Sequence, residues 1–241
     1  MVLQILYQDA WMVAVNKPSG LLVHRSMIDR HETQFAMQMV RDQIGQRVYP
    51  VHRLDRPTSG VLLMALSSHG AKLISAIIEA RKVAKTYLAI CRGHLNDEGV
   101  IDHPLSENLD KIADRHKSGH NLPKDAITAY RCIEQSEIPV AINRYPSSRF
   151  SLLQLNPVHG RKHQIRRHLA HLRHPILCDV NYGDNKYNRY FKAQLADARL
   201  ALHASRLELP HPINGQMLTI DAPLDNSFKH LLNAVNIEYP R

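Results

Sequence analysis

The chain has 241 residues, enough for one large domain or two small ones around a substantial core. Its formal charge of +9, with 16 histidines besides, indicates a polyanionic partner such as nucleic acid. Because no apolar run approaches the roughly 20 residues that span a bilayer, we expect no membrane association.

The N-terminal sequence and the cysteines predict a cytoplasmic protein. The first residues enter strand-like sequence directly, without a charged leader, so no signal peptide is predicted. Cys91, Cys132 and Cys178 lie far apart and form no CxxC pair, which favours reduced thiols. Since no repeat or linker divides the sequence, we predict a single domain over residues 1–241.

In chain order, the first part of the sequence predicts short strands and two helices. Residues 5–6 and 13–15 are predicted strands, and residues 33–44 a helix. The six apolar residues 61–66 are typical of a buried strand. Ser67 or Ser68 is then expected to cap a helix whose apolar stripe packs in the core.

The second part alternates strands with polar segments. Strands are predicted at 83–91, 126–133 and 150–155, and a late strand opens at 199–204. Residues 106–124 lack an apolar period and are interpreted as an exposed excursion. Helices are predicted at 162–173 and 224–235, whereas 187–197 is interpreted as a variable insertion.

One carboxylate, Asp55, stands among cations and hydroxyls in the segment HRLDRPTSG, residues 52–60. Pro57 and Gly60 bracket a turn before the buried strand, so Asp55 is expected on a loop held against a rigid element. From spacing alone a structural ion pair with a flanking arginine is the favoured interpretation, because most such pairs have no further role.

Cations crowd the predicted helix at 162–173 and the residues before it, which indicates a facing anion. His168, His171 and His174 lie three apart, a spacing that raises the alternative of a metal site. No carboxylate or cysteine completes a tetrahedral set beside them, and neighbouring arginines oppose a dication. We therefore predict no metal.

Residues 52–60 resemble the HRLDxxTSG signature of the RluA family of RNA pseudouridine synthases at every signature position. Three further stretches resemble the family in the same order: NKPSG at 16–20, KTY at 85–87 and GRKHQIRRHLAHLRHPI at 160–176. Two positions depart from its pattern. Lys162 stands where many members have a smaller residue, and Cys178 stands where glycine is usual.

The resemblance implies the pseudouridine synthase fold: an α+β domain with a bent, mixed, mostly antiparallel sheet, flanking helices and a central active-site cleft. It also implies that the small accessory RNA-binding domain carried by some members is absent. Members isomerise uridine by breaking the N1–C1′ bond and joining C5 to C1′, a reaction that needs no cofactor. The sequence accordingly lacks nucleotide-binding and zinc motifs.

The resemblance also assigns roles to residues. Asp55 would be the nucleophile at the sugar or the base, Arg166 its cationic partner, and Tyr87 a ring stacked near the uracil that assists proton transfer. A tyrosine in a strand is usually only packed; the matching order of motifs favours the functional role of Tyr87. Arg53 would hold the flipped-out RNA. Further RNA contacts are expected at Arg56, Thr58, Lys85, Arg161, Lys162, His163, Gln164 and Arg167.

Within the family the whole chain resembles one branch, whose members modify uridine 65 in the T stem of certain tRNAs, near the acceptor stem. We therefore expect tRNA as partner of a monomeric enzyme. Two alternatives stay open: a ribosomal RNA synthase of the same family, and a non-catalytic RNA-binding protein or chaperone. Intact Asp55, Tyr87 and Arg166 favour an enzyme.

Overall fold

The computed structural model describes residues 2–25, 32–95, 97–106 and 122–239. Its contacts divide the chain into two compact units. The first comprises Met1–Lys85, Pro104–Asp125 and Arg206–Pro223, and the second Thr86–His103, Ala126–Ser205 and Leu224–Arg241. The expected excursion at 106–124 lies mostly outside the described residues, and the single domain stays a prediction.

The fold class is α+β, as expected, with a mixed, mostly antiparallel sheet and flanking helices. The strands are β1 (Gln4–Gln8), β2 (Met12–Lys17), β3 (Tyr49–Pro50), β4 (Ser59–Ala65), β5 (Ala84–Arg92), β6 (Glu98–Asp102), β7 (Ile127–Ile138), β8 (Ser148–Pro157), β9 (Leu202–Pro210) and β10 (Met217–Asp221). The helices are α1 (Ala36–Ile44), α2 (Ser68–Glu79), α3 (Gln164–His171), α4 (Asn185–Gln194) and α5 (Asn226–Ala234).

The first unit is built around β4. This strand is buried along its whole length and pairs antiparallel with β2, which pairs with β1 in turn. Residues 61–65 of this strand are all apolar because the strand is buried on both faces, whereas a half-exposed strand would alternate apolar and polar residues. The predicted cap of α2 is confirmed at Ser67, whose hydroxyl accepts a hydrogen bond of 3.0 Å from the Gly70 N–H. Ile74 carries the helix into the core.

The second unit contains the antiparallel strand order β5-β8-β7-β6. Its core is aliphatic and aromatic, with Phe150, Leu152 and Leu155 of β8 fully buried. Ile165 and Leu169 carry the apolar stripe of α3 into this core, which confirms the helix although it is shorter than predicted.

Helix α4 occupies most of the stretch 187–197, which was interpreted as a variable insertion and for which no helix was predicted. Tyr187 and Phe191 are buried, and the Phe191 ring meets Phe150 edge-on at 5.8 Å between centroids. Asp184 caps the helix, and its carboxylate accepts a hydrogen bond from the Lys186 N–H at 2.9 Å. The capping Asp184 and the four-residue spacing of Tyr187 and Phe191 both indicate a helix in the sequence. The many polar residues of the segment hid this pattern.

Among the described residues, no helix has the length and apolar character needed to cross a bilayer.

Candidate active site

The loop that carries Asp55 is a tight turn leading into β4. The Thr58 N–H donates to the Asp55 carbonyl oxygen at 3.0 Å, and Gly60 adopts a φ of +111°, a conformation that glycine tolerates best. Asp55 is partly exposed, whereas the Thr58 and Ser59 side chains are buried. The buried neighbours fix the loop while the carboxylate keeps access to the surface.

A lysine that the sequence reasoning did not single out supports this loop. Lys17 is fully buried at the end of β2, and its ammonium donates to the carbonyl oxygens of Pro18 at 2.9 Å, Leu21 at 2.9 Å and Arg56 at 3.2 Å. Because Arg56 follows Asp55, the ammonium ties the NKPSG turn directly to the loop. The signal was present: Lys17 takes the inward position after Val13 and Val15.

His52 anchors the other end of the loop and stays neutral. The Leu63 N–H donates to His52 Nε2 at 2.9 Å, which leaves the ring proton on Nδ1. Burial lowers the pKa of His52 to about 3, and the nearby Lys85 charge acts in the same direction. His52 is therefore a structural acceptor at neutral pH.

The cations of the loop differ in their surroundings. Arg53 is exposed, while Arg56 donates from Nε to the Gly20 carbonyl oxygen at 3.0 Å and pairs with Glu32. Lys85 is partly buried, and that burial lowers its pKa. Arg53 thus presents its charge outward, and Arg56 also braces the loop.

In the second unit, Arg166 is buried on α3 and forms a two-pronged pair with Asp179. Its Nε and Nη2 donate to the two Asp179 carboxylate oxygens at 2.8 Å each. Burial by itself raises the pKa of Asp179, but the Arg166 guanidinium and the N–H groups of Asn181 and Tyr182 bring it below its ordinary value. Asp179 is therefore ionised at neutral pH.

An aromatic ring covers the same guanidinium. The Arg166 Cζ lies 5.2 Å from the centroid of Tyr182, within the range of a cation–π interaction. The Tyr182 hydroxyl is hydrogen-bonded to His163 Nδ1 at 2.9 Å. His163, the residue before α3, has a φ of +56°, which is uncommon for a residue with a side chain.

The other predicted site residues of this unit fall into two groups. Gln164 is buried; its Nε2 donates to the Ile127 carbonyl oxygen at 2.9 Å and its Oε1 accepts from the Arg161 N–H at 3.1 Å, which anchors the start of α3. Because the side chains of Gln164 and Thr58 are buried, they would influence RNA binding through the residues that they position. Partly or fully exposed side chains are those of Tyr87, Arg161, Lys162, His163 and Arg167.

The three histidines considered as metal ligands each contact other groups of the protein. His168 is hydrogen-bonded to the Thr128 hydroxyl and the His103 carbonyl oxygen, both at 3.0 Å, and burial lowers its pKa. His171 stacks on the His103 ring at 3.8 Å, and His174 Nδ1 lies 3.0 Å from the Arg92 carbonyl oxygen. In the part of the chain that the structure describes, no cluster of His, Cys, Asp and Glu side chains has the arrangement of a metal site.

Cys178, the departure from the family pattern, has a φ of +59°. Glycine adopts this left-handed conformation at little cost, which explains why glycine is usual there. The thiol is buried, and burial raises its pKa to about 11, so it stays protonated at neutral pH.

These features accompany a match to a known family. Residues 11–171 match the model of RNA pseudouridylate synthases. The chain belongs to this family of isomerases, which confirms the resemblance drawn from its motifs.

Individual relatives agree. A tRNA pseudouridine synthase C from Pasteurella multocida is 54% identical over 233 residues, covering 97% of this chain and 96% of the relative. One from Pectobacterium carotovorum is 55% identical over 224 residues, where the match covers 93% of this chain and 60% of the relative's length. The solved structure of human RNA pseudouridylate synthase domain containing 4 superposes with a TM-score of 0.72 at 28% identity, covering 99% of this chain and 95% of that one. This likeness confirms the expected fold.

Proposed function

We propose that this protein converts a uridine of tRNA to pseudouridine, with uridine 65 in the T stem as the target. The observation that carries the proposal is the near full-length match to a tRNA pseudouridine synthase C, at 54% identity. The motifs with Asp55, Tyr87 and Arg166 support it as well. We further propose that it works as a cytoplasmic monomer without a cofactor.

In the proposed reaction Asp55 is the nucleophile. Its carboxylate adds to the sugar or the base, the N1–C1′ bond breaks, and the uracil turns so that C5 joins C1′. C5 then loses its proton, N1 gains one, and the carboxylate is released unchanged. No atom is gained or lost overall, so the step requires neither an oxidant nor a co-substrate.

Arg166 and Tyr87 assist this carboxylate in the proposal. A guanidinium beside Asp55 would keep the carboxylate ionised when a bound base excludes water. Tyr87 would stack on the uracil and assist the proton transfers. Since the target base is paired within an RNA stem, it has to leave the stack first, and exposed Arg53 would hold the RNA in that state.

Exposed cations on the loop of Asp55 and around the start of α3 supply the RNA contacts. Lys162 and Arg53 are exposed, and Arg161, His163 and Arg167 keep part of their surface accessible. Lys85 and Arg56 add charge near the loop of Asp55. Contacts of this kind neutralise phosphates without reading sequence, and they position the RNA for the reaction.

Phosphate contacts give a salt-dependence prediction. If about six phosphates are neutralised, tRNA affinity should fall about 1000-fold between 50 and 200 mM salt. Filter binding of an unmodified transcript across that range measures the slope of log affinity against log salt. Lys162→Met should reduce the slope by about one, whereas Lys72→Met on the exposed face of α2 serves as the matched control and should leave it unchanged. A flat response in the unaltered protein would contradict a phosphate-binding surface.

Mapping pseudouridines in a deletion strain tests the proposed target. Loss of the modification at tRNA position 65, restored by the gene on a plasmid, is the expected result. Loss confined to ribosomal RNA would establish the alternative synthase of the same family. An unchanged pattern in both RNA classes would favour a non-catalytic RNA-binding protein.

A further inference from the structure

We propose that Asp179 and Tyr182 form a clamp that fixes the guanidinium of Arg166, and that both are positioning residues of the reaction. The inference rests on the proposed function of Arg166. It extends that function to two residues outside the signature loop and the KTY strand, and it explains how a long, flexible side chain keeps one orientation.

The Asp179 arm of the clamp sets the plane of the guanidinium. A two-pronged pair through Nε and Nη2, each at 2.8 Å, leaves little rotation about the Arg166 side chain. Both side chains are almost completely buried, at 3% and 1% exposure. A buried ion pair is seldom more stabilising than apolar residues of the same size. Stability alone therefore gives little reason for this pair, whereas orientation of a reactive partner does.

The backbone of Asp179 is itself held in place by hydrogen bonds. The Asp179 carbonyl oxygen accepts from the Gly183 N–H at 2.9 Å and from Asn188 Nδ2 at 2.8 Å. A Cβ at Gly183 would lie 2.2 Å from that carbonyl oxygen, so no other residue fits without displacing the backbone. The Asp179 carboxylate also accepts from the N–H groups of Asn181 at 2.9 Å and Tyr182 at 3.1 Å. The carboxylate thus has one available position.

The Tyr182 arm covers the face of the guanidinium and links it to the basic start of α3. Its ring centroid lies 5.2 Å from Arg166 Cζ, and its hydroxyl is bonded to His163 at 2.9 Å. His163 keeps its left-handed backbone at this point. Since the proposed RNA contacts include His163, the tyrosine joins an RNA-contacting residue to the Arg166 guanidinium through one side chain.

A second arginine–aspartate pair in the same unit provides the matched control. Arg199 donates from Nη2 to Asp225 at 2.6 Å, and Asp225 caps α5 by accepting from the Phe228 N–H at 2.8 Å. This pair joins the same two kinds of side chain and is partly buried. Its structural role is to hold the residue that caps α5. Asp225→Asn therefore reports what the loss of a structural pair alone does to the enzyme.

The test is a double-substitution cycle in single-turnover experiments with an unmodified tRNA transcript. Arg166→Lys and Asp179→Asn should each lower the rate constant about 100-fold, since a misplaced group costs about that much. The double variant should be no slower than Arg166→Lys alone, because Asp179 acts through Arg166. Tyr182→Leu should lower the rate about tenfold through the lost cation–π contact. The Kd for tRNA should stay unchanged in all of them.

The outcomes separate the inference from the proposed function. Asp225→Asn should lower the melting temperature and leave the rate constant unchanged at a temperature where the protein is folded. A normal rate in Asp179→Asn beside a slow Arg166→Lys overturns the clamp and leaves the proposed function standing. Effects that multiply in the double variant also overturn it. A normal rate in Arg166→Lys would instead remove the proposed role of Arg166. If Asp179→Asn does not fold, a normal rate in Tyr182→Leu overturns the clamp and a slow one with normal tRNA binding supports it.

Discussion

Asp55→Asn is expected to abolish pseudouridine formation while tRNA still binds. The amide has the same shape as the carboxylate but is a far poorer nucleophile, so the rate constant should fall about 10⁴-fold or more. Tritium at C5 of uridine provides the measurement, because C5 exchanges its hydrogen for the bond to C1′. Filter binding of the same transcript should give a Kd close to that of the unaltered protein.

The control for this variant removes the same charge elsewhere in the same unit. Asp42 is exposed on α1 and pairs only at the surface with Arg41, so Asp42→Asn should release tritium at the normal rate. Substantial tritium release by Asp55→Asn would remove Asp55 as the nucleophile. Loss of tRNA binding in that variant would show that the residue serves the complex and not the chemistry alone.

Lys17→Met is expected to give the largest loss of stability. Methionine has a similar length, yet it leaves the carbonyl oxygens of Pro18, Leu21 and Arg56 without the ammonium that they contact. Removing a buried charged donor should lower the free energy of unfolding by about 3 kcal/mol. Urea unfolding followed by circular dichroism measures this change.

The same variant should also form pseudouridine slowly at temperatures where it is folded, because Arg56 follows Asp55 and the loop would lose one of its supports. Lys72→Met on the exposed face of α2 is the matched control and should change the free energy of unfolding by less than about 0.5 kcal/mol. A Lys17→Met protein as stable as this control would contradict the supporting role of the ammonium.

Local patterns in the sequence predicted much of the framework. The buried strand β4, the cap of α2 at Ser67 and the apolar stripe of α3 each depend on residues close together in the chain, so propensity and periodicity reveal them. The helix at Asn185–Gln194 was not predicted because its polar residues outnumber Tyr187 and Phe191, the two aromatic residues that it buries in the core.

The support of the candidate site depends on contacts that local patterns do not encode. Lys17 reaches Arg56 across 39 positions, and Arg166 reaches Asp179 across 13. Neither contact follows from helical or strand periodicity, because each is set by how separate segments fold together. The motifs thus named the expected reactive residues, while the contacts that Lys17 and Asp179 make with Arg56 and Arg166 emerged only from the three-dimensional structure.

The burial of Lys17 has a chemical consequence. Its amine is enclosed by three carbonyl oxygens, so acylating reagents and acetyl-transferring enzymes have no path to it in the native protein. A modified Lys17 would therefore mark molecules that were acylated before folding or during transient opening. Quantified by mass spectrometry, that label would serve as an intrinsic gauge of how often this unit opens in a living cell.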